Sequence, residues 1–281
     1  MRTVYVRGHG TESLATLIDT GSERVRDNLT AEAIEHRADL LVAKRMGSGR
    51  GLLPVAAPRD IDLDRTDRVI AAVGGGPHSE LAARVARAVG VARGVPSRMI
   101  CAYPEGSSPE RALSTVEHLA ELVPDVEYLV LPGAHVQDLL TMEGEGALLV
   151  LGAPGGSFLQ RQYLGPGARL IAKAPVGAVV VQTAPRRAFH AMEEPQWVGV
   201  QMACRDALAL HDVDPIPVVD AGVVVGCAHR VDLERGGAEP VKNVMSGVEP
   251  VDAETELEDL ESGPIRPVLH DGRLVGLLGV S

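Results

Sequence analysis

Apolar runs short enough for strands recur along the middle of the chain, separated by longer stretches with helical spacing. Residues 69–73 (VIAAV), 98–102 (RMICA), 126–131 (VEYLVL), 148–151 (LLVL) and 176–181 (VGAVVV) read as strands. Between them, residues 79–91, 109–122, 135–142 and 168–173 read as helices. In the first helix Leu81, Val85 and Ala88 stand at i, i+4 and i+7 and make one apolar face. The runs 148–151 and 176–181 are apolar throughout rather than alternating, so they are expected to be buried on both faces. Strands alternating with helices predict a parallel sheet covered by helices on both sides.

Two glycine-rich turns interrupt this pattern at strand ends. Gly74-Gly75-Gly76-Pro77 follows the first strand and precedes its helix. After the fourth strand come Gly152, two residues, Gly155, nine residues and Gly165, then Pro166 and Gly167 at a helix start. Proline suits a first helical position because its φ is fixed. Strand, glycine loop and helix N-terminus together suit phosphate: glycine lets the backbone approach an anion, and the first helical N–H groups carry partial positive charge.

The spacing G-x2-G-x9-G, with Pro175-Val176 and Val179, Val180 and Val181 closing the unit, resembles the nucleotide loop of the universal stress protein family. The run GGGPHSELAARVARAVG (74–90) resembles the version of that domain found in tandem repeats and at transporter tails. The resemblance covers residues 65–184. It implies a five-stranded parallel sheet in the order 3-2-1-4-5 with nucleotide over the C-terminal strand ends. It also implies ATP or AMP contacts from Gly74, Gly75, Gly152, Gly155, Gly165 and Gly167. Pro166 departs from the family's Ser/Thr and removes a hydroxyl and a backbone N–H together. The alternative is that the glycines only shape a turn and a loop. Arg161 either meets phosphate or stays solvated, and His78 reads as first-turn surface.

Residues 1–64 look like a degenerate half of the same kind of domain, or else an unrelated extension. Residues 3–6 and 38–43 read as strands, and 29–36 as a helix capped by Asn28. The glycine loop is reduced to Met46-Gly47-Ser48-Gly49-Arg50-Gly51, and the charged stretch 59–67 reads as a linker.

Beyond a boundary at Ala184-Pro185-Arg186-Arg187 one unit is copied. Met192-x2-Pro195 recurs as Met245-x4-Pro250, 53 residues on. Pro217-Val218 recurs as Pro267-Val268, and Val225-Gly226 as Val275-Gly276, each 50 residues on. Each copy reads as strand, helix, then two strands about a turn (Asp220-Ala221-Gly222 and Asp271-Gly272). This resembles a pair of cystathionine-β-synthase (CBS) modules, an α+β pair over residues 188–281, with copies at 188–238 and 241–281, the second truncated. The resemblance implies an adenosine ligand (AMP, ATP or S-adenosylmethionine) in the cleft. Gly226-x5-Asp232 places Asp232 to grip a ribose diol, with His229 where the family has a hydroxyl residue. Alternatively Asp232 caps the helix that follows. In the second copy the run from Gly276 reaches Ser281 without an equivalent aspartate, so one site is expected.

Composition narrows the function. A formal net charge of −11 argues against nucleic acid and anionic membrane surfaces, and only three of the 27 basic residues are lysines. Cys101, Cys204 and Cys227 are odd in number and lie among apolar residues, so they read as reduced buried thiols. MRTVYVRGHG has no apolar leader region, and no run approaches the ~20 apolar residues of a membrane helix. We expect no metal constellation, reading the histidines as never falling at i, i+4 with a carboxylate, and no nucleophile motif. The acidic stretch 249–261 reads as a solvated face. The expectation is a cytoplasmic, homodimeric adenine-nucleotide sensor that regulates a partner such as a transporter, without turnover. The alternatives are a slow ATPase at the Gly152 loop and a scaffold that has lost its ligand.

Overall fold

The computed structural model describes residues 1–46, 51–103, 109–132, 144–153 and 171–280. These fall into two units: residues 1–29 with 38–184, and residues 30–37 with 185–281.

The first unit contains β1 (Thr3–Tyr5), α1 (Thr11–Ile18), β2 (Glu23–Arg24), β3 (Leu40–Val42) and β4 (Val55–Arg59). After them come β5 (Arg68–Ala72), α3 (Ser79–Arg93), β6 (Ser97–Tyr103), α4 (Pro109–Leu122), β7 (Glu127–Pro132), β8 (Ala147–Gly152) and β9 (Ala178–Gln182). The strands form one sheet in the order β2-β1-β3-β4-β9-β8-β5-β6-β7. Within it, β7-β6-β5-β8-β9 keeps the expected neighbour order 3-2-1-4-5, every pair parallel. The expected five-stranded sheet is corrected to a nine-stranded one, because β9 also pairs with β4.

Burial explains the uniform apolar runs. On β5 and β8, Val69, Ala71, Leu148 and Val150 face one core, while Ile70, Leu149 and Leu151 face another. The first core takes α3 through Leu81, Val85 and Val89, and α4 through Ala112, Val116 and Leu119. Gly94 ends α3 in the left-handed conformation, returning its N–H to Gly90 and Val91 carbonyls.

The N-terminal segment repeats this plan in reduced form. Outward from the β4·β9 seam, β4-β3-β1-β2 matches β9-β8-β5-β6 strand for strand. All neighbours are parallel except at the seam, where Ala57 pairs with Val180 in antiparallel register. The sequence of residues 1–64 predicts one helix and no strand after residue 43. The structure adds α1, β2 and β4 in that stretch. Pro58 argues against a strand by sequence, but β3 pairs β4 only as far as Ala56, so the missing N–H breaks no β3 bond.

The second unit takes in most of α2 (Leu29–Glu35), then α5 (Ala188–Ala191), β10 (Val198–Gly199), α6 (Cys204–Leu210), β11 (Ile216–Asp220), β12 (Val223–Ala228) and α7 (Arg230–Gly236). It continues with β13 (Val251–Asp252), a 3-10 turn (Leu257–Asp259), β14 (Gly263–His270) and β15 (Arg273–Val280). Its sheet order is β10-β11-β12-β15-β14-β13. The repeat is visible in the register: Val198 pairs with Val218 as Val251 with Val268, and Val218 with Gly226 as Val268 with Gly276. In the second copy the 3-10 turn stands where the first has α6.

The copies also exchange segments. Ser246 bridges Cys227, and the equivalent Glu193 bridges Leu277. Arg187 with Glu256 and Ala203 with Pro240 form a second reciprocal pair. The recurring Met and Gly residues meet at these crossings. A Cβ on Gly226 would stand 2.5 Å from the Ser246 carbonyl oxygen, and one on Gly276 2.6 Å from Met192 Sδ and 2.7 Å from the Glu193 oxygen. Glycine is therefore required there by the crossing backbone. We predict that Gly226→Ala or Gly276→Ala costs about 1–3 kcal/mol through overpacking. Gly247→Ala, where a Cβ meets nothing within 4 Å, should cost far less. Urea unfolding of the three variants checks this.

Candidate functional site

The parallel strands β5 and β8 pair through Ala72 and Leu151, and their C-terminal ends open side by side. The chain leaves β5 toward β6 on one side while β8 lies on the other. This is a topological switch point, where open α/β sheets leave a crevice for ligand. Gly74, Gly75 and Gly152 all lie at this crevice. Gly155, Gly165 and Gly167, with Pro166 and Arg161, lie outside the described residues.

The glycines differ in what requires them. Gly75 has φ +71, and a Cβ there would press on Thr115 Oγ1 at 3.2 Å. Gly152 is held to glycine by packing, since its Cβ would lie 2.8 Å from His78 Cβ. Gly74 and Gly76 are exposed, and a Cβ on either meets nothing within 4 Å. The turn is fixed by Ser79: its Oγ accepts the Gly74 N–H at 3.3 Å, and its own N–H donates to Gly76 O at 3.0 Å.

His78 is the residue the sequence reading missed. It is half-buried rather than first-turn surface, and it spans from the β5 turn to the exit of β9. Its Nδ1 accepts the Thr183 N–H at 3.2 Å and lies 2.9 Å from the Thr183 hydroxyl. Accepting from a backbone N–H places the proton of the neutral ring on Nε2. Burial pushes the imidazole below its ordinary value. Thr183 directly follows β9 and lies two residues before Pro185, where the second unit begins. No local motif marks His78, because its partner is 105 residues away.

In the second unit, His229 is the N-cap residue of α7, and Asp232 lies in that helix's first turn. Neither side chain makes the capping bond. Asp214 does, accepting the Arg230 N–H on Oδ1 at 3.0 Å, which corrects the alternative of Asp232 as cap. Asp214 also stands 3.6 Å from His229 Nδ1, and Asp232 stands 3.7 Å from Arg235 Nη1. Elsewhere in this unit, a cavity of about 840 Å³ lies at the two hairpin turns, walled by Trp197, Val219, Val223 and Leu274.

One correction concerns metals. Glu32 and His36 do stand at i, i+4, 3.6 Å apart, and with Glu35 they form the cluster of possible ligands found among the described residues. The His36–Glu32 contact is an i, i+4 pair on the helix surface, with Glu35 exposed beside it, and among the described residues no further ligand joins the cluster. The three cysteines are buried, and burial raises the Cys101 and Cys204 thiols. Among the described residues no helix is long and apolar enough to cross a membrane.

Two predictions follow from these contacts. A folded-state imidazole held below the unfolded value of 6.5 favours the neutral form, so its contribution is fully present above that pH and is lost as pH falls below it. Chemical denaturation should show stability falling with acidity below that value, and His78→Gln should flatten the slope. At α7, Asp214→Ala should cost about 0.5–2 kcal/mol as the loss of a cap. Asp232→Ala, which removes only a surface i, i+3 pair, should cost about 0.5 kcal/mol or less. Equal losses in thermal melts of the two variants would contradict this assignment.

Neither a family model nor a curated protein matches the chain. Among solved structures, it is similar to a universal stress protein in complex with cAMP, at 18% identity over 42% of this chain and 99% of that one, TM-score 0.35. The cytoplasmic domain of a prokaryotic cation chloride cotransporter aligns at 13% identity over 65% and 95%, TM-score 0.45. A universal stress protein from Archaeoglobus fulgidus aligns at 15% identity over 62% and 74%, TM-score 0.39. The chain is a mixed α/β protein whose structural neighbours include universal stress protein domains.

Proposed function

We propose that this protein is a non-catalytic adenine-nucleotide sensor that binds ATP or AMP in the β5–β8 crevice. Gly74 and Gly76 carry the reading: neither a left-handed φ nor, among the described residues, a neighbouring atom calls for glycine there. Glycine at such a position lets a ligand approach the backbone closely. Gly152 closes the floor of the crevice against His78.

In this reading residues 188–281 of the second unit form a CBS-like pair. An adenosine position is formed at the start of α7, where Asp232 offers a carboxylate to a ribose diol beside His229. Regulation runs through population shift: ligand at the β5 turn favours one setting of His78 and Thr183, at the point where the chain leaves the first unit. The regulated partner is a transporter or another protein, the location is cytoplasmic, and the working form is a homodimer. The transporter assignment rests on the likeness of residues 74–90 alone. Pairing of two copies through β9 is not part of the proposal, since β4 already fills that edge.

Calorimetry of the full chain with ATP and with AMP tests both sites. Gly74→Leu fills open space at an exposed position, so it should leave the melting temperature unchanged and weaken nucleotide by about tenfold or more, roughly 1.4 kcal/mol. Asp232→Ala should abolish a second binding event and leave the first. Absence of nucleotide binding to the unmodified chain would sink the reading.

A further inference from the structure

The half-size repeat at the N-terminus has a strand-end crevice of its own. The chain leaves β1 through α1 to β2 on one side, while β3 lies on the other, so β1 and β3 form a second switch point. Because β4 and β9 run antiparallel, this crevice opens at the end of the sheet opposite to the β5–β8 crevice.

Its lining differs in kind. The turn Gly74–His78 has no lysine or arginine, whereas β1 runs into Arg7-Gly8-His9-Gly10, β3 into Lys44-Arg45, and β4 ends in Arg59. These segments touch. A Cβ on Gly8 would stand 3.3 Å from Lys44 Cβ, and Arg59 Nη1 donates to the Lys44 carbonyl. Arg7, His9, Lys44 and Arg45 are exposed. Among the described residues none of these four is paired with a carboxylate, although the chain has 38 acids against 27 lysines and arginines. Acids follow the same strand ends at Glu12, in the first turn of α1, at Asp27 after β2, and at Asp60, Asp62 and Asp64 after Arg59. Arg7, Lys44 and Arg45 thus stand at the strand ends with no carboxylate partner among the described residues.

We propose that the β1–β3 crevice is an anion site for a chain of two or three phosphates. The number follows from the spread of charge. From β1 through β3 to β4 is two strand spacings, about 10 Å, so the cations span more than one phosphate ion can reach. Arg7 and Arg59 hold the two ends, Lys44 and Arg45 the middle, and the backbone at Gly8 lets the chain lie close. The site is independent of the nucleotide reading of the β5–β8 crevice, which uses open glycines rather than charge.

The test is calorimetry of the full chain with inorganic tripolyphosphate, with ATP as the second arm. One-to-one binding that weakens with added salt is expected. The exposed pair Arg7→Gln with Lys44→Gln should weaken it about ten- to a hundredfold with an unchanged melting temperature, and Lys44→Arg should preserve it. Gly74→Leu should leave tripolyphosphate binding untouched. If ATP competes with tripolyphosphate and is lost in the same double variant, the phosphate chain is that of a nucleotide; if it does not compete, the ligand is an inorganic phosphate chain. Absence of tripolyphosphate binding, or binding that survives the double variant, overturns the proposal.

Discussion

Five main-chain pairs, from Val55 with Gln182 to Arg59 with Ala178, join two parallel half-sheets back to back. Without this antiparallel seam, β9 would be an exposed edge of apolar residues, Ala178 to Val181, with unpaired N–H and C=O groups. With it, Val179, Val180 and Val181 are buried on both sides of the sheet. The edges that remain are the two-residue β2, and β7, which ends in Pro132 and carries Glu127 paired with Arg98 on β6. A short strand, a charge and a proline each discourage further pairing. The second unit is arranged the same way, with antiparallel β12 and β15 at its centre and two-residue edge strands β10 and β13.

The seam also decides where chemistry is available. Antiparallel joining sends the C-terminal ends of the two half-sheets to opposite ends of one platform. Each half therefore keeps a switch-point crevice that does not interfere with the other. The larger half keeps glycines and a half-buried histidine at its crevice, and the smaller one keeps exposed cations.

The larger half was legible because its strands are buried on both faces. Runs such as 148–151 and 176–181 carry that burial as unbroken apolar sequence, and α3 and α4 carry it as helical spacing. The internal repeat of the second unit was legible through Met192, Met245, Gly226 and Gly276. Those residues recur because they meet at the crossings between copies, a reason the sequence alone does not disclose. What was not legible is equally specific. β2 has two residues, and β4 includes Pro58, so neither offers a run that stands out from a loop. α1 does place Leu14, Leu17 and Ile18 at i, i+3 and i+4, but eight residues after a glycine-rich turn make a weak signal. The cap of α7 comes from Asp214, sixteen residues upstream, whereas the sequence offered the local Asp232.

Glycine spacing is where sequence and structure diverge most usefully. Gly74, Gly75 and Gly152 form one class in the sequence, each read as a backbone that admits phosphate. In the structure they part: Gly75 answers to a left-handed φ beside Thr115, Gly152 to the Cβ of His78, and Gly74 to neither. Gly74 is thus the position of the three at which the described residues leave room for a ligand beside the backbone. His78 then links the two elements of the crevice. It packs on Gly152, and its Nδ1 ties the turn to Thr183 at the exit of β9. A ligand seated over Gly74 would bear on a side chain already bonded to the segment that leads out of the domain. Under the proposed sensing role, such a link gives occupancy of the crevice a route to the rest of the chain.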